Sequence, residues 1–317
     1  VSHQVRLARE DDLDALFDLS GLTGGGMVNF PHDRDFLAER IAWSLRSLET
    51  AVEAPKDEFY LLVLEEIPSK RVVGTGCIFA RLGARWPFYS YKLSRVTHVS
   101  RDLDRIFSTQ ILNLVNDFDG ASEVGGLFVH PESRVGGTGA LMSRSRYMFI
   151  AQHRQRFSDC VVAEMRGWRD KGASPFWEAV GRPFFGSEID DADLHNALHG
   201  NQFIADLMPR YPIYITMLPT AACEAIGRVD VRSEPARHLL EMEGFVYDGY
   251  VDIFDAGPTL SIHTDAIQTI RQCHLIDEDR IVRTSETERP ITAMGTGVDF
   301  RCWQGAASDD PLGLAAA

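Results

Sequence analysis

Read as a pattern of apolar and polar positions, the chain opens on a short alternating segment, VRLA, and then changes period. From Asp11 onward, Leu13, Leu16, Phe17 and Leu19 recur at helical spacing, which predicts a strand followed by an acid-capped helix. The glycine-rich stretch GLTGGGMVNFP predicts a loop. DRDFLAERIAWSLRSL returns to the helical period through Phe36, Leu37, Ile41 and Leu45. FYLLVLEE and RVVGTGCIFARL are β-rich runs joined by IPSK, a hairpin signal, and FYSYKLSRVTHVS, QILNLVND and VGGLFVHP predict further strands. GALMSRSRYMFIAQHRQRF then reads as a helix, CVVAEMRG as a buried strand, and SPFWEAVG as a helix with Ser174 at its N-cap and Pro175 at its first position.

This order predicts an α+β fold with a mixed sheet flanked by helices. EPARHLLEMEGFVYDGYVDIF, a helix ending at Gly244 and then a strand, echoes SPFWEAVGRPFF and suggests a second, related half. The organisation expected is therefore a first unit over 1–188, a second half over 189–275 that completes its site, and a C-terminal extension over 276–317. The last stretch, GAASDDPLGLAAA, has the composition of a poorly ordered end.

Composition narrows the function. The net charge of −14 over 317 residues argues against broad nucleic-acid binding, which needs a basic face, and suits recruitment of a cationic small molecule. No apolar run reaches the roughly 18–20 residues of a membrane span. The first residues carry no signal-peptide core. Five scattered cysteines without a CxxC pair suggest neither a disulfide framework nor a zinc site, so a cytoplasmic protein is expected. His98, His130 and His199 stand alone, without ligand spacing, and no metal is expected.

The stretch SRVGGTGALMSRSR concentrates glycine and arginine between a predicted strand and a predicted helix. A Walker A loop would need Gly-Lys-Ser/Thr where Gly139 and Ala140 stand, and a dinucleotide fingerprint would need glycine at Met142. Two readings stand: a tight turn, or a loop whose backbone N–H groups and helix N-terminus hold a pyrophosphate. In the second, Arg134 and the backbone of Gly136, Gly137, Thr138, Gly139 and Ala140 are the holding groups. Arg144 and Arg146, further along, would reach another phosphate or face solvent.

This arrangement resembles the Gcn5-related N-acetyltransferase superfamily. DRDFLAERI, VVGTGCIFAR, FYSYKL, HPESRVGGTGALMSRSRYMFIAQ, VVAEMRG, SPFWEAVGRPFF, QFIADLMPRYPIY and EGFVYDGYVDIFDAGPTL are similar, in order, to the arginine N-succinyltransferase family over residues 4–275. The resemblance implies transfer of succinyl from succinyl-CoA to the α-amino group of L-arginine, with ornithine accepted by related members. It further implies direct attack in a ternary complex, no metal, and a homodimer or a hetero-oligomer with a related subunit. Leu127 matches a succinyl-CoA position, and Phe128 and Val129 continue its strand, whose N–H groups would face the thioester. The family's proton-donating histidine falls on Asp230, and a second family histidine falls on Tyr211. Asp230, Tyr211 and Tyr214 are thus the catalytic candidates. Gly125 and Gly126 replace larger family residues, which means either a wider acyl pocket or a strand bulge. A guanidinium calls for carboxylates, for which Glu164, Glu178, Asp252 and Asp255 are candidates, and a succinyl tail calls for a cation, for which Arg166 is the leading one. The rival readings are a different amine or acyl-CoA, and a CoA-binding partner subunit without activity.

Overall fold

The computed structural model describes residues 2–309 apart from 25, 26, 28, 201, 278, 286 and 287. Its strands are β1 (His3–Leu7), β2 (Phe59–Glu66), β3 (Arg71–Phe79), β4 (Ser90–Ser100), β5 (Arg105–Val115), β6 (Ser122–Val129), β7 (Cys160–Glu164), β8 (Ile213–Tyr214), β9 (Val246–Val251), β10 (Pro258–His263), β11 (Cys273–Asp277), β12 (Arg280–Arg283), β13 (Ile291–Met294) and β14 (Arg301–Gln304). Among the described residues they form one sheet, in the order β11-β12-β13-β14-β1-β2-β3-β6-β7-β10-β9-β4-β5-β8. Neighbours are antiparallel except β6 and β7. The mixed α+β class follows.

β2 shows why the central strands are apolar without alternation. Tyr60, Leu62 and Leu64 face one core and Phe59, Leu61 and Val63 the other, so both faces are covered. The second face is covered by α1 (Leu13–Gly21) and α2 (Arg34–Glu49), the latter capped by Asp33, whose carboxylate accepts the Phe36 N–H at 2.8 Å. The first is covered by α3 (Thr138–Gln152), in which every residue from Leu141 to Ile150 is buried. A helix buried all round loses its amphipathic stripe. Arg144 and Arg146 are buried with it.

The segments 1–188, 189–275 and 276–317 all contribute strands to this sheet. β9 and β10, from the middle segment, extend it beside β7 rather than building a second sheet. The C-terminal strands β12 to β14 return to pair with β1. The polar tail pattern concealed this, because such short strands lie at or near a sheet edge. Of residues 305–317, expected to be poorly ordered, 305–309 are placed, with Gly305 N–H donating to the Pro290 carbonyl at 2.8 Å and Ala307–Asp309 forming a 3-10 turn, and 310–317 lie outside the described residues. A separate apolar cluster of Tyr91, Leu112, Phe176, Trp177, Ile253 and Phe254 packs the far half of the sheet. Ser174 caps its helix as its sequence predicts, with Oγ accepting the Trp177 N–H at 3.2 Å.

Candidate active site

The parallel pair opens almost as soon as it forms. β6 meets β7 only at Ser122–Val161 and Glu123–Val162, so the edge of β6 beyond Glu123 has no ladder partner on that side. On its other side the register with β3 slips between Thr75 and Cys77, opposite Gly126 and Leu127. Gly126 sits at φ +59, which only glycine adopts cheaply, and a Cβ there would lie 3.0 Å from Cys77 Sγ. Gly125 is closed in too: its Cβ would lie 2.9 Å from Asn29 Nδ2 and 3.4 Å from Glu123 Oε1. The glycine pair is therefore a bulge, not the widening of a pocket. Behind it, Arg146 donates to the Gly125 carbonyl at 3.3 Å and to Ser143. Leu127 packs its side chain on the core beneath α3, and Phe128 and Val129 are buried, so these three offer a ligand only their backbone.

The glycine loop runs from β6 into α3. Gly137, at φ +85, is the N-cap, and no side chain caps the helix. The first-turn N–H groups of Gly139 and Ala140 have no intrahelical acceptor. A Cβ on Gly136 or Gly139 would meet nothing within 4 Å, so the surrounding protein does not fill this space. Thr138 spends its hydroxyl on the Ser133 carbonyl at 2.6 Å, and Arg134 donates Nε to the Val129 carbonyl at 2.9 Å while its guanidinium lies over Phe128. A cleft of about 520 Å³ opens on Gly136, Gly137, Ala140 and Arg144, with Arg289 and Gln304 of the C-terminal segment as its far wall. Arg144 is not free for a phosphate: it pairs with Glu243 at 3.1 Å and with Glu288.

On the α1–α2 side of the opening lies a group of carboxyls. Glu164, at the end of β7, sits across from Thr259 of β10. Burial and then the neighbouring Asp252, Glu123, Asp255 and Asp193 charges hold its pKa well above the carboxylate range. Burial and the Asp255 and Asp193 charges raise Asp252 in the same way. Burial also pushes Asp193 and Glu123 up to about 7, in Asp193 with the Asp255 charge adding to it. Each of Glu164, Asp193 and Asp252 is enclosed yet still touched by solvent. Asp255 anchors the wall, accepting the N–H of Gly167 at 2.7 Å and of Gly257 at 2.9 Å. Like charges held this close favour a bound cation.

Two cation positions flank the group. Arg166 is held beside Asp230 and Asp255, its pKa lowered by burial and by Arg169 and Arg232. Arg40 lies among the rings of Phe36, Trp43, Phe59 and Phe79, at 4.6, 5.1, 4.9 and 5.1 Å, its pKa lowered by burial despite the Glu123 and Glu39 carboxylates. Among the described residues the buried Arg40 Nη1 has no hydrogen-bond partner.

The sequence candidates divide. Glu164, Asp252, Asp255 and Arg166 come together. Asp230 joins them through its backbone, donating its N–H to the Arg166 carbonyl at 2.9 Å. Its carboxylate caps the turn Val231–Ser233 and accepts from Arg232 N–H and Nε, each at 3.0 Å. Burial opposes ionisation there, but the Arg232 hydrogen bonds and the Arg232 and Arg166 charges prevail and lower its pKa, so at neutral pH it is an acceptor and not a donor. Glu178 lies apart, paired with Arg182 one helical turn on at an exposed surface. Tyr211 is 86% exposed, and Tyr214 lies on β8, the last strand of the sheet, with β7, β10, β9, β4 and β5 between it and the bulge. Glu123, Asp193, Asn29, Arg40 and Arg289 were not among the candidates. Only Glu123, a charge two positions before Gly125 in an apolar strand, carried a local signal. Among the described residues Asp159, His263 and Asp265 also cluster, but they are exposed and Arg154 already pairs with both aspartates.

Comparison with known proteins places this geometry. Residues 3–269 match the arginine N-succinyltransferase beta subunit family. An arginine N-succinyltransferase of Yersinia pestis is 41% identical over 269 residues, 84% of this chain and 77% of that one. The arginine N-succinyltransferase subunit beta of Pseudomonas aeruginosa is likewise 41% identical over 269 residues, 84% and 78% of the two chains. The solved structure of arginine/ornithine succinyltransferase subunit AI from Pseudomonas aeruginosa superposes with a TM-score of 0.83 at 34% identity, covering 95% of this chain and 88% of that one. By this family model, these relatives and this structural match, the chain belongs to the arginine N-succinyltransferase beta subunit family.

Proposed function

We propose that the protein transfers succinyl from succinyl-CoA to the α-amino group of L-arginine, with ornithine as a second amine of the same class. The observation that carries this reading is the placement of two sites on the strand pair that opens: the glycine loop follows β6, and the carboxyls Glu123 and Glu164 stand on β6 and β7. An uncapped helix N-terminus with open glycines suits the pyrophosphate, and an enclosed group of carboxyls suits a cationic amine. The free edge of β6 lies between them and accepts the pantetheine arm as a strand accepts a neighbour.

In the reaction the neutral amine attacks the thioester carbonyl, the C–N bond forms, the C–S bond breaks and the CoA thiolate leaves and takes up a proton. Backbone N–H groups at the bulge stabilise the oxyanion. Glu123, beside the bulge with a pKa of about 7, is suited to take the ammonium proton. Glu164, Asp193 and Asp252 hold the guanidinium, and ionised Asp230 adds a further negative charge near Arg166. Arg166 and Arg40 suit the two carboxylates that the substrates bring. Cys77, the cysteine against the bulge, has its thiol pushed up to about 12 by burial first and the Glu123 charge next, which supports direct attack over an acyl-enzyme. No helix among the described residues is long and apolar enough to cross a membrane. A cytoplasmic setting and an oligomer belong to the same reading, supported by relatives named as subunits.

The test is free-thiol release from succinyl-CoA with L-arginine, in parallel with ornithine, lysine, and acetyl-CoA. Fastest turnover with succinyl-CoA and arginine or ornithine is expected. Faster turnover with another pair, or none with any, would contradict the reading.

A further inference from the structure

A succinyl donor brings a carboxylate of its own, and the amine brings another. The two arginines beside the carboxyl group are separated by sheet order. Arg166 follows β7 and is held beside Asp230 and Asp255, on the side where Asp252 and Glu164 gather. Arg40 stands on α2 with its guanidinium over Phe59 of β2 and Phe79 of β3, on the opposite side of β6. Its setting is costly for a cation. Four rings enclose it, and among the described residues its buried Nη1 has no hydrogen-bond partner. Glu123 and Glu39 act on it as charges, yet burial prevails and lowers its pKa. The rings attract the charge and fix the planar fork, but a buried charge is settled only by an anion that pairs with it.

Strand register sets how far that anion would come. Cys77 pairs with Gly125 at the bulge, and Phe79, two residues along β3 on the same face, pairs with Glu123. The guanidinium over Phe79 therefore lies one two-residue repeat along the sheet from the bulge, about 7 Å. The proposed function puts the thioester carbonyl at this bulge. A succinyl carboxylate stands three bonds beyond its thioester carbon, about 4 Å in an extended chain. A charged hydrogen bond to guanidinium spans about 3 Å more, which closes the gap. An acetyl group, one bond long, stops short of it.

We infer that Arg40 selects the acyl donor: its guanidinium receives the free carboxylate of the acyl group, and Arg166 is left for the carboxylate of the amine. The inference rests on the proposed function for the place of the thioester. Its test needs no amine, so a chain that never acylates arginine can still show or lack the selectivity. Succinyl-CoA and acetyl-CoA are titrated separately into the full chain by calorimetry. The unmodified protein is expected to bind succinyl-CoA at least about tenfold more tightly, the scale of a charge-assisted pair. R40M should bring the two affinities within about twofold of each other. R40K should keep a preference of about threefold, because an ammonium lacks the planar fork, and it covers the case in which R40M fails to fold. R166M should retain the full preference while weakening the binding of arginine in the presence of CoA. Equal affinity of the unmodified protein for the two donors would overturn the proposal. So would a preference unchanged in R40M, or in R40K should R40M not fold, or one lost in R166M instead.

Discussion

The two halves of the candidate active site are built from different materials. The glycine loop offers a ligand backbone: an uncapped helix N-terminus, two residues in left-handed conformation and a position, Gly139, whose missing side chain leaves open space. The carboxyl group offers side chains drawn from β6, β7, the helix Ile189–His199 and the turn between β9 and β10. The first half costs the fold little, because a helix end in water is unsatisfied anyway. The second is held against mutual repulsion and burial, and its carboxyls keep protons at pH values where ordinary carboxylates have lost them. One half is preorganised without strain, and under the proposed function the other is completed by its cationic substrate.

Substitutions should separate the halves. Glu164→Gln is expected to lower kcat/KM for arginine by on the order of 100-fold, the scale of a lost charged hydrogen bond, with CoA affinity unchanged. Steady-state kinetics beside CoA titration calorimetry checks both. Gly139→Asp should do the reverse. Its side chain enters open space, so Tm stays the same, while an anion at the phosphate site weakens CoA binding by roughly 30-fold.

The pH dependence of stability is a subtler difference. Glu123 and Asp193 hold their protons up to about 7 when folded, against 4.5 and 3.8 as their ordinary values. A carboxyl whose pKa is raised by folding favours the native state while protonated, so stability falls as pH rises from about 4 to about 7. Asp193→Asn is expected to flatten that fall in thermal melts, whereas Gly139→Asp leaves it as it was. The smallest effects fall outside both halves: Glu178→Gln and Tyr211→Phe should change kcat/KM by less than about twofold, since exposed sites away from the opening contribute little.

The same division governs what could be read from the chain itself. The loop was legible because its parts are adjacent: strand, glycines and helix follow one another within residues 122–152. The failed Walker and dinucleotide patterns then left few ligands for it. The carboxyls were legible only where their blocks stood out, as in AEMRG and YVDIFDAGP. Asp193 was hidden because an acidic residue on a helix among Asp190 and Asp191 reads as solvated surface. Arg144 misled for the opposite reason. A basic residue one turn beyond a phosphate loop looks free, and its partners Glu243 and Glu288 lie 99 and 144 residues away. Tyr211 was drawn from a family position and Tyr214 from its nearby hydroxyl, and sheet order puts β8, which carries Tyr214, at the far edge. The union of the C-terminal strands with β1 joins the two ends of the chain, a pairing no local pattern contains.

The most direct test of the central claim is the proton balance of amine binding. L-arginine is titrated into the protein with CoA at pH 7, in buffers of different ionisation enthalpy. A guanidinium that enters the carboxyl group favours its ionised form, so net proton release is expected, with affinity rising between about pH 6 and pH 8. Glu164→Gln should abolish most of that release. Binding without proton release, or release unchanged in Glu164→Gln, would contradict the account.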